Sequence, residues 1–116
     1  MSESVENFLS SQLPVGGLAA YSIHVHDSVL ATQCLTKSLY PTSTEQILHR
    51  VVKSGRALLP AGEQAAHYCW TFEAHKVYVA SRPDGGCLAL LVENNPNAQL
   101  TRVKEILQGF LDLPEI

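Results

Sequence analysis

The chain has 116 residues, 46% of them hydrophobic, and a formal net charge of −3. That length specifies one domain over 1–116, able to remove enough surface from water to build a core without metal or disulfides. Its eight Lys and Arg are scattered along the chain, which excludes the concentrated basic footprint of a nucleic-acid binder.

The acidic start Met1-Ser-Glu-Ser-Val-Glu6 lacks the basic-then-apolar layout of a secretory signal, and no apolar run approaches the roughly 20 residues that span a bilayer. Cys34, Cys69 and Cys87 are odd in number and show no CxxC spacing. They read as reduced thiols of a cytoplasmic protein.

Val5, Phe8, Leu9 and Leu13 fall at helical spacing behind Ser2 or Ser4 as a cap, and Pro14 ends that helix. Gly16-Gly17 turns the chain into a strand over 18–25; His26-Asp27-Ser28 supplies turn formers and 29–35 reads as the return strand. Thr42-Ser-Thr-Glu45 has the form of a capping box. Behind it Ile47, Leu48, Val51, Val52 and Leu58 mark one apolar stripe, with Gln46, His49, Arg50 and Lys53 on the other faces. Gly55 within that stripe costs about 1 kcal/mol against Ala, so it marks close packing of another backbone or the approach of the helix end. Pro60 and Gly62 close the segment.

Three strands follow, over 67–73, 75–81 and 87–93, the last two joined by the turn Pro83-Asp-Gly-Gly86. The run from Cys87 to Val92 is almost wholly apolar, as a central strand covered on both faces requires. Leu100, Val103, Ile106, Leu107, Phe110 and Leu111 then line one side of a final helix. The order αββαβββα predicts an α+β fold: a five-stranded antiparallel sheet flanked by helices on both faces.

This order, and the segment from Val77 through Pro83-Asp-Gly-Gly86 to Asn95-Pro-Asn-Ala-Gln-Leu100, resemble the roadblock/dynein-light-chain domain family. Gly16-Gly17 before the first strand fits as well, whereas His26-Asp27-Ser28 stands where that family often carries an Asp-Gly turn. The resemblance implies a homo- or heterodimer in which the third strands of two protomers pair edge to edge and the central helices pack side by side. It places Tyr68, Trp70 and Phe72, alternating along the third strand, and Ile47, Val51 and Gly55 on the central helix at the dimer interface. It further implies a non-catalytic regulatory or scaffold module that binds a partner protein, with a Ras-like small GTPase as the partner class. A structural adaptor without GTPase contact is the alternative.

Other chemistry has less support. His24 and His26, and again His67 and Cys69, are spaced to share a strand face, with His75 nearby. Zinc needs three or four converging ligands, and these are only pairs, so a metal or small-molecule sensor ranks below both protein-binding readings. All three cysteines lie in apolar or strand-like sequence and read as buried, inert thiols. Asp27 and Asp84 occupy turns for backbone reasons. Gly16-Gly17 and Gly85-Gly86 lack the spacing and the Lys-Ser/Thr of phosphate loops. Arg50, Arg56, Arg82 and Arg102 are the only arginines, and none is flanked by sequence that presents it as a finger. No cofactor and no catalytic residue are expected.

Overall fold

A computed structural model of the chain describes residues 2–13, 15–25, 28–37, 39–58, 66–72, 74–82, 85–95 and 98–113, with the backbone alone at 2–4, 56–58, 66 and 67. The elements are α1 (Ser2–Gln12), β1 (Leu18–Val25), β2 (Ser28–Cys34), α2 (Pro41–Leu58), β3 (Ala66–Thr71), β4 (His75–Ser81), β5 (Gly86–Glu93) and α3 (Leu100–Asp112). The strands form one sheet in the order β2-β1-β5-β4-β3, antiparallel at every pairing. This is the predicted order and fold class.

The apolar run of β5 occupies the middle of the sheet, and alternate residues serve two cores. Leu88, Leu90 and Val92 face α1 and α3 beside Val5, Leu9, Val103, Ile106, Leu107 and Phe110. Cys87, Ala89 and Leu91 face α2 with Leu48, Val51, Val52, Val77 and Val79. Period-two alternation divides one strand between two cores in this way. An irregularity on β1, where Leu18 pairs with Val92 but Ala20 with Leu91, brings the adjacent Ala19 and Ala20 into the α2 core together.

The two motifs on which the family resemblance rests meet in space. Gly16 N–H donates to Gln99 Oε1 at 2.7 Å and Gln99 N–H returns a bond to Gly16 O at 2.8 Å. Gly17 has φ +86°, and a Cβ there would overlap Ala98. Glycine at 17 therefore lets the lead-in to α3 lie against the start of β1.

Three local expectations change. The Thr42–Glu45 capping box does not form, because α2 begins at Pro41 and Thr44 N–H already donates to Tyr40 O at 2.9 Å. Proline at the first helical position needs no N–H partner and has its φ preset, so it displaces Thr42 as the start. Ile47, which periodicity assigns to the buried stripe, is 44% exposed, since Thr44, Leu48, Val51, Val52 and Gly55 fill the sheet-facing side. Gly55 lies in the last turn of α2, as one of its two readings had it, and packs against the Tyr68 ring, which a methyl group at 55 would overlap; the close neighbour is a side chain and not a backbone. β3 itself ends at Thr71, and Phe72 follows it in the same register with β4 and is 44% exposed. The expectations at Pro14, His26, Asp27, Pro60, Gly62, Glu73, Pro83 and Asp84 lie outside the described residues.

Candidate protein-docking edge

The sheet has two edges, β2 and β3, and their backbones differ. On β2, Ile23 pairs with Ala31 but His24 pairs with Val29, so Leu30 is an inserted bulge residue and the ladder bends there. On β3 the register with β4 is unbroken from Ala66↔Ser81 to Thr71↔Lys76. Its sequence, Ala66-His-Tyr-Cys-Trp-Thr71, contains no Lys, Arg, Asp, Glu or Pro. A straight, uncharged edge strand offers open backbone donors and acceptors for another strand to pair with.

β3 is bound to α2 behind it. Tyr68 and Trp70 pack on the α2 core, Tyr68 lies over Gly55, and the Tyr68 hydroxyl donates to Val52 O at 3.3 Å. Of the six residues expected at an interface, Val51 and Gly55 are buried within this protomer and Tyr68 and Trp70 are half-buried. Ile47 and Phe72 are exposed. Local apolar periodicity could not separate these roles, because it records which residues are apolar and not how far the sheet extends beneath the helix.

Among the described residues, the other face of β3 is open. A cleft of about 550 Å³ lies between it and α3, lined by Cys69, Tyr78, Thr101, Lys104, Glu105 and Gln108 among others. Cys69 is exposed and Cys34 half-buried, so of the three cysteines only Cys87 is the buried thiol expected. Burial first, and then the adjacent Cys69, push the Tyr78 phenol above its ordinary value.

The arginines have structural positions that sequence did not show. Arg82 is 9% exposed, donates to Phe110 O at 2.6 Å and lies 5.6 Å from the centre of the Phe110 ring. A cation on the last carbonyls of α3 satisfies acceptors that the helix leaves open. Arg102 donates to Gln12 O at 3.1 Å, at the end of α1. Arg50 is exposed on α2, and the Arg56 side chain lies outside the described residues.

Of the proposed histidine pairs, His26 and the His67 side chain are likewise outside the described residues. His24 is 1% exposed, with Nε2 at 2.6 Å from Ser22 Oγ and its ring stacked on His49 at 5.9 Å and 25°. Helical spacing puts His49 on an outer face, yet its Nδ1 is buried without a hydrogen-bond partner. Among the described residues no three His, Cys, Asp or Glu gather as a metal site, and no helix is long and apolar enough to cross a membrane.

No protein-family profile matches the chain, and no curated protein matches it in sequence. Solved structures match it in shape. A gliding protein MglB from Thermus thermophilus superposes with a TM-score of 0.65 at 18% identity, over 95% of this chain and 84% of that one. The chain has a roadblock-like fold. An MglB structure with a tetrameric arrangement gives a TM-score of 0.58 at 18% identity, again over 95% and 84% of the two chains. Myxococcus xanthus MglB gives 0.53 at 12% identity, over 90% and 86%. Resemblance at such low identity carries the architecture and leaves the surfaces to be argued from this chain's own residues.

Proposed function

We propose that this roadblock-like chain is a non-catalytic, cytoplasmic regulatory module that works as a homodimer and docks a partner protein, a Ras-like small GTPase being the partner class. The observation that carries the reading is the straight, uncharged β3 edge fastened to α2, with Ile47 exposed on that helix. A second copy pairing along β3 would satisfy the open edge and bring two α2 helices alongside each other. Similarity to the MglB structures, one of them in a tetrameric arrangement, supports a fold used in assemblies of several copies.

A partner GTPase can be stimulated by an inserted arginine or by ordering of its own switch segments. Arg82 and Arg102 are engaged on the ends of α3 and α1, and Arg50 is exposed on α2. None of the arginines is flanked by sequence that presents it as a finger, which favours switch ordering by the dimer surface. The test has two steps. Light scattering on the purified chain gives the mass; a dimer is expected, and a monomer across micromolar concentrations would end the proposal. Native capture from the source cell is then repeated with GTP and with GDP. A small GTPase retained mainly with GTP supports the regulator, and nucleotide-independent capture of large structural subunits would replace it with the adaptor.

A further inference from the structure

We infer that in this dimer the twofold axis passes through Cys69, which sets Tyr68 against the partner's Trp70; the inference rests on the dimer reading above. It follows from the hydrogen-bond phase of β3. Phe72 N–H donates to His75 O at 2.8 Å, and residues 72 and 75 continue the register that joins Thr71 to Lys76. That makes 72 and 75 a hydrogen-bonded pair. Such pairs alternate along an antiparallel ladder, so Trp70 with Val77 and Tyr68 with Val79 are bonded pairs too. Those residues direct their backbone groups inward to β4. His67, Cys69 and Thr71 therefore turn their N–H and C=O toward the open edge.

A second copy running antiparallel about a twofold axis must place one residue opposite its own image, because directly opposed side chains share a sheet face. Three positions keep the overlap within the strand. An axis at Cys69 pairs Cys69 with itself and His67 with Thr71 on both sides, so all three outward-facing residues are bonded. An axis at Tyr68 leaves Thr71 opposite a residue before the strand, and an axis at Trp70 leaves His67 opposite one beyond it. Counted over the described strand residues, each of those registers makes fewer backbone bonds than the axis at Cys69. Unpaired backbone groups at a closed interface cost more than a made bond returns.

Side-chain pairing selects the same register over the axis at Tyr68. With the axis at Cys69, Tyr68 faces the partner's Trp70 twice, in non-bonded positions where Cα atoms approach to about 4.5 Å. Aromatic cross-strand pairs of this kind stabilise a sheet. With the axis at Tyr68, Trp70 would face Ala66. Tyr68 is already held over Gly55 by its bond to Val52 O, so one half of each aromatic pair is fixed before the protomers meet. On the opposite face the exposed Cys69 thiol meets its own copy, at a Cα separation of about 5.5 Å.

The test uses zero-length disulfide formation under a mild oxidant, on a Cys34→Ser background with Cys87 left in its buried position. A disulfide needs Cα atoms within about 7 Å and so reaches directly opposed positions rather than diagonal ones. Cys69 is expected to carry most of the chain to a band of twice the monomer mass. In a Cys69→Ser background, a mixture of His67→Cys and Thr71→Cys chains is expected to link to each other, while Thr71→Cys alone is not. Efficient linking of His67→Cys to a chain retaining Cys69 would instead place the axis at Tyr68 and overturn the inference. Linking of Thr71→Cys to a chain retaining Cys69 would place it at Trp70 and do the same. A protein that light scattering finds monomeric before any reagent is added removes the dimer reading itself, and a dimer that links at none of these positions removes only the β3 seam.

Discussion

The two edges of this sheet are made of similar residues and behave as opposites. β2, Ser28-Val-Leu-Ala-Thr-Gln-Cys34, is as free of charge as β3. What separates them is geometry. Leu30 is an inserted residue that bends β2, whereas β3 holds one register along its length. Composition alone would rank the edges as equal hazards for strand addition; the bulge blunts one of them and leaves the other straight.

The sharpest way to break that contrast is a charge at each edge. Trp70→Arg places an unpaired cation at the seam and is expected to abolish the dimer, by several kcal/mol of association energy. Leu30→Arg, on the bulged edge where the side chain is 45% exposed, is expected to leave the mass unchanged. Light scattering on both variants decides, and a dimeric Trp70→Arg would move the interface away from β3.

Gly55→Ala probes the link between β3 and α2. The added methyl overlaps the Tyr68 ring, and overpacking of this kind costs about 1–3 kcal/mol. Denaturant unfolding is expected to show the loss, and Tyr68→Ala in the same chain should relieve part of it because the two positions share one contact. A purely additive pair would mean the clasp does not couple the two elements.

Ile47→Glu tests whether α2 contributes to the seam. Its side chain is 44% exposed in one protomer, so the fold should tolerate the change to within about 0.5 kcal/mol. The dimer dissociation constant is expected to rise by about tenfold, which is about 1.4 kcal/mol. An unchanged constant would confine the interface to the strand.

The smallest effect is a pH dependence. Burial and Cys69 raise Tyr78 above its ordinary value of 10.0, so the folded chain keeps that proton where the unfolded chain loses it. The contribution is complete below about pH 10 and declines as pH rises beyond it. Melting temperature should fall more steeply above about pH 10 than it does in Tyr78→Phe, and parallel curves would show that Tyr78 plays no part.

The sequence carried the fold further than the site. Two periodicities and a few breakers gave every element and its order, and the apolar run at 87–92 identified the middle strand. Errors came where two local signals competed, as when Pro41 took the helix start from Thr42. They also came where an apolar residue faced outward, as at Ile47. The site was harder to read because its components lie far apart in the chain: Gly55 with Tyr68, His24 with His49, Arg82 with Phe110.

By itself, then, the chain determined the local states: which stretches are helix or strand, which side of each is apolar, and where glycine and proline interrupt them. These depend on neighbours within a few residues, and periodicity records them directly. Only the tertiary structure decided which edge stays straight, that Cys69 is exposed, that Arg82 and Arg102 secure helix ends, and which backbone groups of β3 face outward. Those properties depend on register between strands and on how far a helix reaches across a sheet. They are set by long-range packing, to which no single segment of sequence is sensitive.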